Sequence, residues 1–223
     1  MGSEVNCVGF DPTGKKLVSC SDDKTVRIWD VTTGEPIGSP LGVDGLVSSL
    51  DFSPCGSKIA AAFNVLDDDY DFESGGVKIF GMVGSIGTFE CESTLAGHTG
   101  SVTQVEFIDA DTVVSSSHDG TTRAWDVATG TQKAEFEGDK FSFTKSSGGD
   151  EQTVGAYVVT KKDNLVLVHA LKQKESATEN SQVVAFFRAP GVVHTLECAG
   201  DRIAVGCQNG EVLHLHAPWL VDF

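Results

Sequence analysis

GHTGSVTQVEFIDADTVVSSSHDGTTRAWD, residues 97–126, is the stretch from which the rest of the chain can be read. It holds three short β-prone runs, Val102–Phe107, Thr112–Ser116 and Thr121–Trp125. A tight His118-Asp119-Gly120 turn joins the last two, Gly97-His98 opens the unit, and Trp125-Asp126 closes it. Apolar and polar residues alternate at strand length and are broken by Gly and Asp. That pattern predicts an antiparallel meander with one side of each strand buried.

Four further copies of the pattern lie on either side. The first has Val5–Phe10 and Lys16–Ser21 as strands, an Asp11-Pro12-Thr13-Gly14 turn and the ending Thr25–Asp30. In Asp-Pro-x-Gly, proline presets the turn φ and glycine takes the left-handed position. The second runs over Leu46–Phe52 and Ser57–Ala62, repeats the turn as Ser53-Pro54-Cys55-Gly56, and replaces the Trp-Asp strand with Val77–Phe80. An inserted turn, Asn64–Gly76, sets it apart. The fourth copy reads Phe141–Lys145, Gly155–Thr160 and Leu165–Ala170. The fifth reads Val192–Cys198, Arg202–Gly206 and Glu211–His216. Trp29, Phe80, Trp125, His169 and Leu215 hold one position in the five copies, 51, 45, 44 and 46 residues apart. Outer strands are expected at Glu35–Gly38, Phe89–Leu95, Gln132–Phe136 and Val183–Phe187, with Gln173–Gln182 as a polar loop. The repeats are expected at about 1–38, 39–95, 96–136, 137–187 and 188–223, forming one domain.

Gly-His, the Ser/Asp pattern and Trp-Asp together resemble the WD-repeat (WD40-type) β-propeller family. The resemblance implies an all-β fold of four-stranded antiparallel blades, about five here, with one blade per repeat. The position matching His98 in the first copy is Met1, which leads us to expect an incomplete propeller or part of a larger, seven-bladed one. The resemblance also implies a buried hydrogen-bonded tetrad. Asp119 would accept from His98, His98 would bridge to Ser115, and Ser115 would reach the Trp125 indole N–H. The first copy keeps Ser19, Asp23 and Trp29 but has no histidine. A Ser/His/Asp set also suggests a hydrolase. No Gly-x-Ser-x-Gly elbow accompanies it, so the structural role is preferred and no catalytic residue is assigned.

Lys plus Arg number 16 against 32 Asp plus Glu, a formal net charge of −16. That field repels phosphate backbones and steers basic peptides or protein faces inward, so protein partners are expected and nucleic acid is not. The six cysteines show no metal-ligand spacing, and no run reaches membrane-spanning length. An intracellular location, cytoplasmic or nuclear, is expected, with no cofactor and no metal.

Asp67, Asp68, Asp69, Asp71 and Glu73 cluster in the insertion with Tyr70 and Phe72. An EF-hand would need Gly and Glu where Phe72 and Lys78 stand, so calcium is not assigned. Acidic and aromatic residues together suit a partner surface. By the family pattern the insertion shares a face with Asp22, His118, Lys162 and Gln208 before the hairpin turns, and with strand starts such as Asn6, Ser48, Thr103 and His194. Thr32 and Ala128 stand where propellers that recruit substrates to cullin ligases often carry Arg, which disfavours that subtype. The function expected is a non-catalytic interaction scaffold. The alternative is a C-terminal sensor propeller of a larger signalling protein.

Overall fold

The repeated turns and alternating strands build five antiparallel sheets in chain order. The computed structural model describes residues 3–69, 71–84, 88–138, 140–145, 156–162, 165–171, 182–189, 192–199 and 202–216. The first sheet has the order β1 (Val5–Phe10), β2 (Lys16–Ser21), β3 (Thr25–Asp30), β4 (Leu41–Gly42). The second has β5 (Leu46–Phe52), β6 (Lys58–Leu66), β7 (Phe72–Val83) and β8 (Thr88–Ala96). The third has β9 (Val102–Phe107), β10 (Thr112–Ser117), β11 (Thr121–Asp126) and β12 (Gln132–Glu137). These are meanders of blade type, each strand paired with its sequence neighbour.

The chain divides into two compact units, Met1–Asp119 with Arg123–Lys133, and Gly120–Thr122 with Ala134–Phe223; the division runs through the third sheet. In the second unit, β13 (Lys140–Lys145), β14 (Ala156–Lys162), β15 (Leu165–Leu171) and β16 (Gln182–Arg188) form a four-stranded sheet. Strands β17 (Val193–Ala199), β18 (Arg202–Cys207) and β19 (Val212–His216) form a three-stranded one among the described residues. Val159, Val166 and Val168 of the former and Val193, Ile203 and Val205 of the latter share one apolar core. Of the expected loop, 173–181 lie outside the described residues.

In the first unit the second sheet packs on both of its faces. One core joins Val18, Cys20, Val26 and Ile28 of the first sheet to Leu50, Phe52, Ile59, Ala61 and Phe80 of the second. Another joins Ala60, Ala62, Val77 and Ile79 on the opposite face of the second to Val105, Phe107, Val113 and Trp125 of the third. The alternation 59/61 against 60/62 on β6 is the period-2 rule for a strand buried on both sides. The two Pro-containing turns close as their sequences require. Gly14 (φ 67°) and Gly56 (φ 70°) sit in the left-handed region and donate to Asp11 O and Ser53 O.

Two expectations are corrected. The inserted turn is mostly strand, because β6 and β7 stay paired through Asn64↔Gly75, Val65↔Ser74 and Leu66↔Phe72, leaving only the short link between Leu66 and Phe72 outside the ladder. Gly75 and Gly76, at the end of the expected turn, serve close approach instead. A Cβ on Gly75 would lie 2.7 Å from Phe63 O, and one on Gly76 2.5 Å from Leu95 O. Glycine in a strand often marks such a crowded crossing. The outer strand of the first repeat is also displaced. Residues 35–37 run beside β3, with Asp30 N donating to Glu35 O and Ile37 N to Ile28 O. The regular ladder, however, forms at β4, where Leu41 and Gly42 pair Val26 and Thr25. Pro40, without an N–H, and Gly38 at φ 73° interrupt it between.

Candidate protein-interaction face

Three hairpin turns of the first unit build the candidate face: Ser21–Lys24 between β2 and β3, 67–71 between β6 and β7, and the start of His118–Gly120 after β10. Each is held by its own polar residues. Ser21 Oγ accepts from Asp23 N at 3.1 Å, and Asp23 Oδ1 accepts from Thr25 N at 3.0 Å. In the acidic turn, Asp67 Oδ1 accepts from Asp69 N (2.9 Å) and Asp71 N (2.8 Å), while Asp67 N donates to Asp71 O. Asp67 is therefore the residue that shapes this turn, and Asp68, Asp69 and Asp71 stand exposed on it. Phe72, expected as a loop aromatic, lies half-buried in β7 with Glu73 exposed beside it, and Tyr70 is outside the described residues.

A groove of about 490 Å³ opens beside these turns, lined by Asn6, Asp22, Leu46, Ser48, Asn64, Leu66 and Ser101. Asn6 Nδ2 donates to Asp22 Oδ1 at 2.6 Å and to Val47 O at 2.9 Å, which ties the rim of the first sheet to the second. Ser48 Oγ donates to Val102 O at 2.7 Å. Asn64, buried at the end of β6, accepts from Val102 N (2.7 Å) and donates to Val102 O (3.0 Å), matching a backbone edge with a side-chain amide. Further along, Val105 N donates to Ser49 Oγ (3.2 Å) and Phe107 N to Asp51 Oδ2 (2.8 Å). Burial lifts the Asp51 carboxyl, although Phe107 N–H and Phe52 N–H pull it down.

His118 is exposed in its turn, its N–H donating to Ser101 O. In the second unit Gln208 is exposed between β18 and β19, Lys162 ends β14, and His194 lies in β17. Of the groove residues, Leu46, Asn64, Leu66 and Ser101 were not singled out from sequence. The signal for Asn64 was available, because it continues the Ala60, Ala62 face of β6 that packs on the third sheet.

The Ser/His/Asp set lies inside the third sheet. His98 Nδ1 donates to Asp119 Oδ2 at 2.9 Å, His98 Nε2 lies 2.9 Å from Ser115 Oγ, and Trp125 Nε1 donates to Ser115 Oγ at 2.9 Å. The pattern fits a neutral imidazole. Nε2 accepts the Ser115 O–H, whose oxygen is then free to accept the indole. Burial lowers the His98 pKa, outweighing the lift from Asp119. Ser115 has 0% exposure and sits among Val113, Trp125 and their neighbours, so no substrate carbonyl could reach its Oγ. In the first sheet Trp29 Nε1 donates to Ser19 Oγ at 2.9 Å, but Asp23 turns to Thr25 and to Arg27 Nη2 (3.1 Å). The Asp of each Trp-Asp pair caps the following turn. Asp30 Oδ1 accepts from Thr32 N and Thr33 N, and Asp126 Oδ1 from Thr129 N and Oγ1. These hydrogen bonds, led by Thr33 N–H at Asp30 and Thr129 N–H at Asp126, hold both carboxyls below the usual range.

The same two repeats that carry this Ser–Trp bond, residues 2–30 and 89–126, match the family model described as WD domain, G-beta repeat. The chain carries WD40 repeats. Among curated proteins, protein tipD of Dictyostelium discoideum is 31% identical over 131 residues, covering 57% of this chain and 19% of that protein. Nuclear distribution protein nudF of Aspergillus flavus is 32% identical over 128 residues, with 57% and 26% covered. The Aspergillus niger nudF is 34% identical over 137 residues, with 56% and 27% covered. The matched part of this chain thus spans about a fifth to a quarter of those relatives. Among solved structures, the computationally designed Ika8 protein superposes with a TM-score of 0.72 over 97% of this chain and 59% of its own, at 22% identity. That likeness is one of fold.

Proposed function

We propose that this WD40-repeat chain is a non-catalytic protein-interaction scaffold whose turn face receives basic segments of partner proteins. The observation that carries the reading is the groove at Asp22, Leu46 and Leu66, with the acidic turn 67–71 leaving directly from Leu66. Leu46 and Leu66 offer apolar walls to the stem of a lysine or arginine, and Asp22 offers a carboxylate to its head. The net charge of −16 draws such a segment in from a distance. The names of tipD and nudF identify no partner for this chain, so the partner is defined here by its chemistry alone.

The test is fluorescence anisotropy with a labelled Lys/Arg-rich peptide and a Glu-substituted control of equal length. The basic peptide is expected to bind, and to weaken as salt screens the field. Asp22→Asn combined with Asp68→Asn and Asp69→Asn is expected to weaken it about tenfold, with the melt unchanged. Equal affinity for the two peptides would sink the proposal, as would binding that ignores both salt and the triple substitution.

A further inference from the structure

Two cysteines face each other across the first sheet. The β1–β2 ladder sets Cys7 opposite Cys20, 13 residues apart in the chain. Residues directly opposite in an antiparallel pair leave the sheet on the same face, with Cα atoms about 4.5–5.5 Å apart. That interval lies within the about 4.4–6.8 Å that a disulfide spans. Both thiols meet the core shared with the second sheet. Cys20 is part of that core with Val18, Leu50 and Phe52, and Cys7 packs against it from the margin. Among the described residues no other ladder pairs two cysteines. Cys91 stands opposite Phe80, Cys198 opposite Ile203 and Cys207 opposite Val193, while Cys55 lies in a turn. The two facing thiols are unequal. Cys20 is fully buried, whereas Cys7 is half-buried. The Cys20 thiol, hydrogen-bonded across the ladder, pulls the Cys7 thiol down to about 6 against the lift from burial and from Asp51. The same contact, together with burial, pushes Cys20 up.

We propose that Cys7 and Cys20 are a peroxide-sensitive thiol pair that closes into a disulfide and pins β1 to β2. The Cys7 thiolate attacks one oxygen of hydrogen peroxide. The O–O bond breaks, hydroxide leaves and takes up a proton to become water, and Cys7 becomes a sulfenic acid. The Cys20 sulfur then attacks the Cys7 sulfur, the S–O bond breaks, and hydroxide leaves with the Cys20 proton as a second water. Two thiols and one peroxide thus give one disulfide and two waters. Cys7 is the sulfur that meets the oxidant, because it reaches the surface and its thiolate is favoured. Cys20 resolves the sulfenic acid because the ladder holds it opposite. The bond secures a strand with a single neighbour, since β1 is an edge of its sheet and pairs with β2 alone. Asn6, at the irregularity beside Cys7 in that ladder, carries the amide that reaches Asp22 and Val47 O. The inference stands whether or not the groove receives a basic segment, because it rests on the ladder.

Peptide mapping of the full 223-residue chain tests it. The reduced protein is treated with hydrogen peroxide, its remaining thiols are blocked, and it is digested with trypsin in the absence of reductant. Lys15 and Lys16 lie between the two cysteines, so cleavage leaves them on separate peptides unless a disulfide joins them. A linked pair, two hydrogens lighter than the sum of its peptides, is expected, and it should come apart on reduction. In urea the link should form about tenfold more slowly, because the ladder no longer holds the sulfurs together. The β1 amides should exchange more slowly in the oxidised chain than in the reduced one. Cys20→Ser is expected to stop the reaction at a Cys7 sulfenic acid, trapped by dimedone, and Cys7→Ser to leave Cys20 a thiol. Should either variant fail to fold, the wild-type map still decides. Recovery of Cys7 and Cys20 as thiols, while the exposed Cys55 and Cys91 are oxidised, overturns the proposal. So does a Cys7 that links to any other cysteine or passes to the sulfinic acid beside an unreacted Cys20. A link that forms as fast in urea, or β1 amides indifferent to it, overturns it too.

Discussion

The first and third sheets begin from nearly the same residues and end in different states. Both carry Ser and Trp at one spacing, and both make the indole-to-hydroxyl bond at 2.9 Å. In the third sheet a preceding sheet covers that bond, and His98 and Asp119 extend it into a chain of buried polar groups. In the first, Trp29 and Ser19 are partly open and Asp23 is spent on its own turn and Arg27. The Ser–Trp bond is thus a local product of strand pairing, whereas the extended network needs both a histidine and a neighbour to exclude water. Its energetic worth comes from the neighbour, because the same hydrogen bond facing water is largely an exchange of partners.

The largest test of this contrast is the pair of tryptophans. Trp125→Ala is expected to cost about 3–5 kcal/mol as a large-to-small core change, and Trp29→Ala about 1–2 kcal/mol because water already reaches it. Urea melts of both variants read the difference, and equal losses would erase the distinction. Next come the serines. Ser115→Ala strands two buried partners, His98 Nε2 and the Trp125 indole, for about 2–4 kcal/mol, against under about 1 kcal/mol for Ser19→Ala. Smaller again is Asp51→Ala, at about 1 kcal/mol, which uncaps the Phe107 amide between second and third sheets. Hydrogen exchange should show that amide speeding up while the amides of β2 keep their rates.

The gentlest probe is pH. Because burial lowers the folded pKa of His98, the unfolded chain takes up the proton first as pH falls. The stability that neutral His98 supplies is complete above the unfolded value of about 6.5 and is lost as pH drops through it toward the lower folded pKa. His98→Gln should remove that loss. The first sheet, which has no histidine, should contribute none of it. A pH dependence unaltered in the variant would place the titration elsewhere.

The strand order and the turns were legible because period-2 alternation and Asp-Pro-x-Gly chemistry are local properties. The Gly-His and Trp-Asp residues pointed to the third sheet's polar set for a different reason, since their combination is specific to one family. The extension of the β6–β7 ladder through Asn64–Leu66 and Phe72–Gly76 is not legible, because a glycine has the same letter whether it turns a chain or, like Gly75 and Gly76, lets two backbones pass closely. Asn64 was placed in a loop because its role depends on the Val102 backbone, which arrives from another sheet. Asp23 looked like Asp119 until the absence of a histidine left it to the nearest donors. At the groove, Asn6 and Ser48 could be guessed from strand position, but Leu46 and Leu66 meet only once the sheets are assembled.

The side chains that reach across to β9 have a consequence for how the molecule is made. Ser49 and Asp51 close the amides of Val105 and Phe107, each over a separation of 56 residues. In each case the residue that closes the edge comes earlier in the chain than the edge itself. At synthesis rates of about 5–20 residues per second, the second sheet's inner strand leaves the ribosome about 3–11 s before the strand it will cap. A nascent inner strand of the third sheet therefore emerges into the presence of its own stopper and has little time to recruit a stranger.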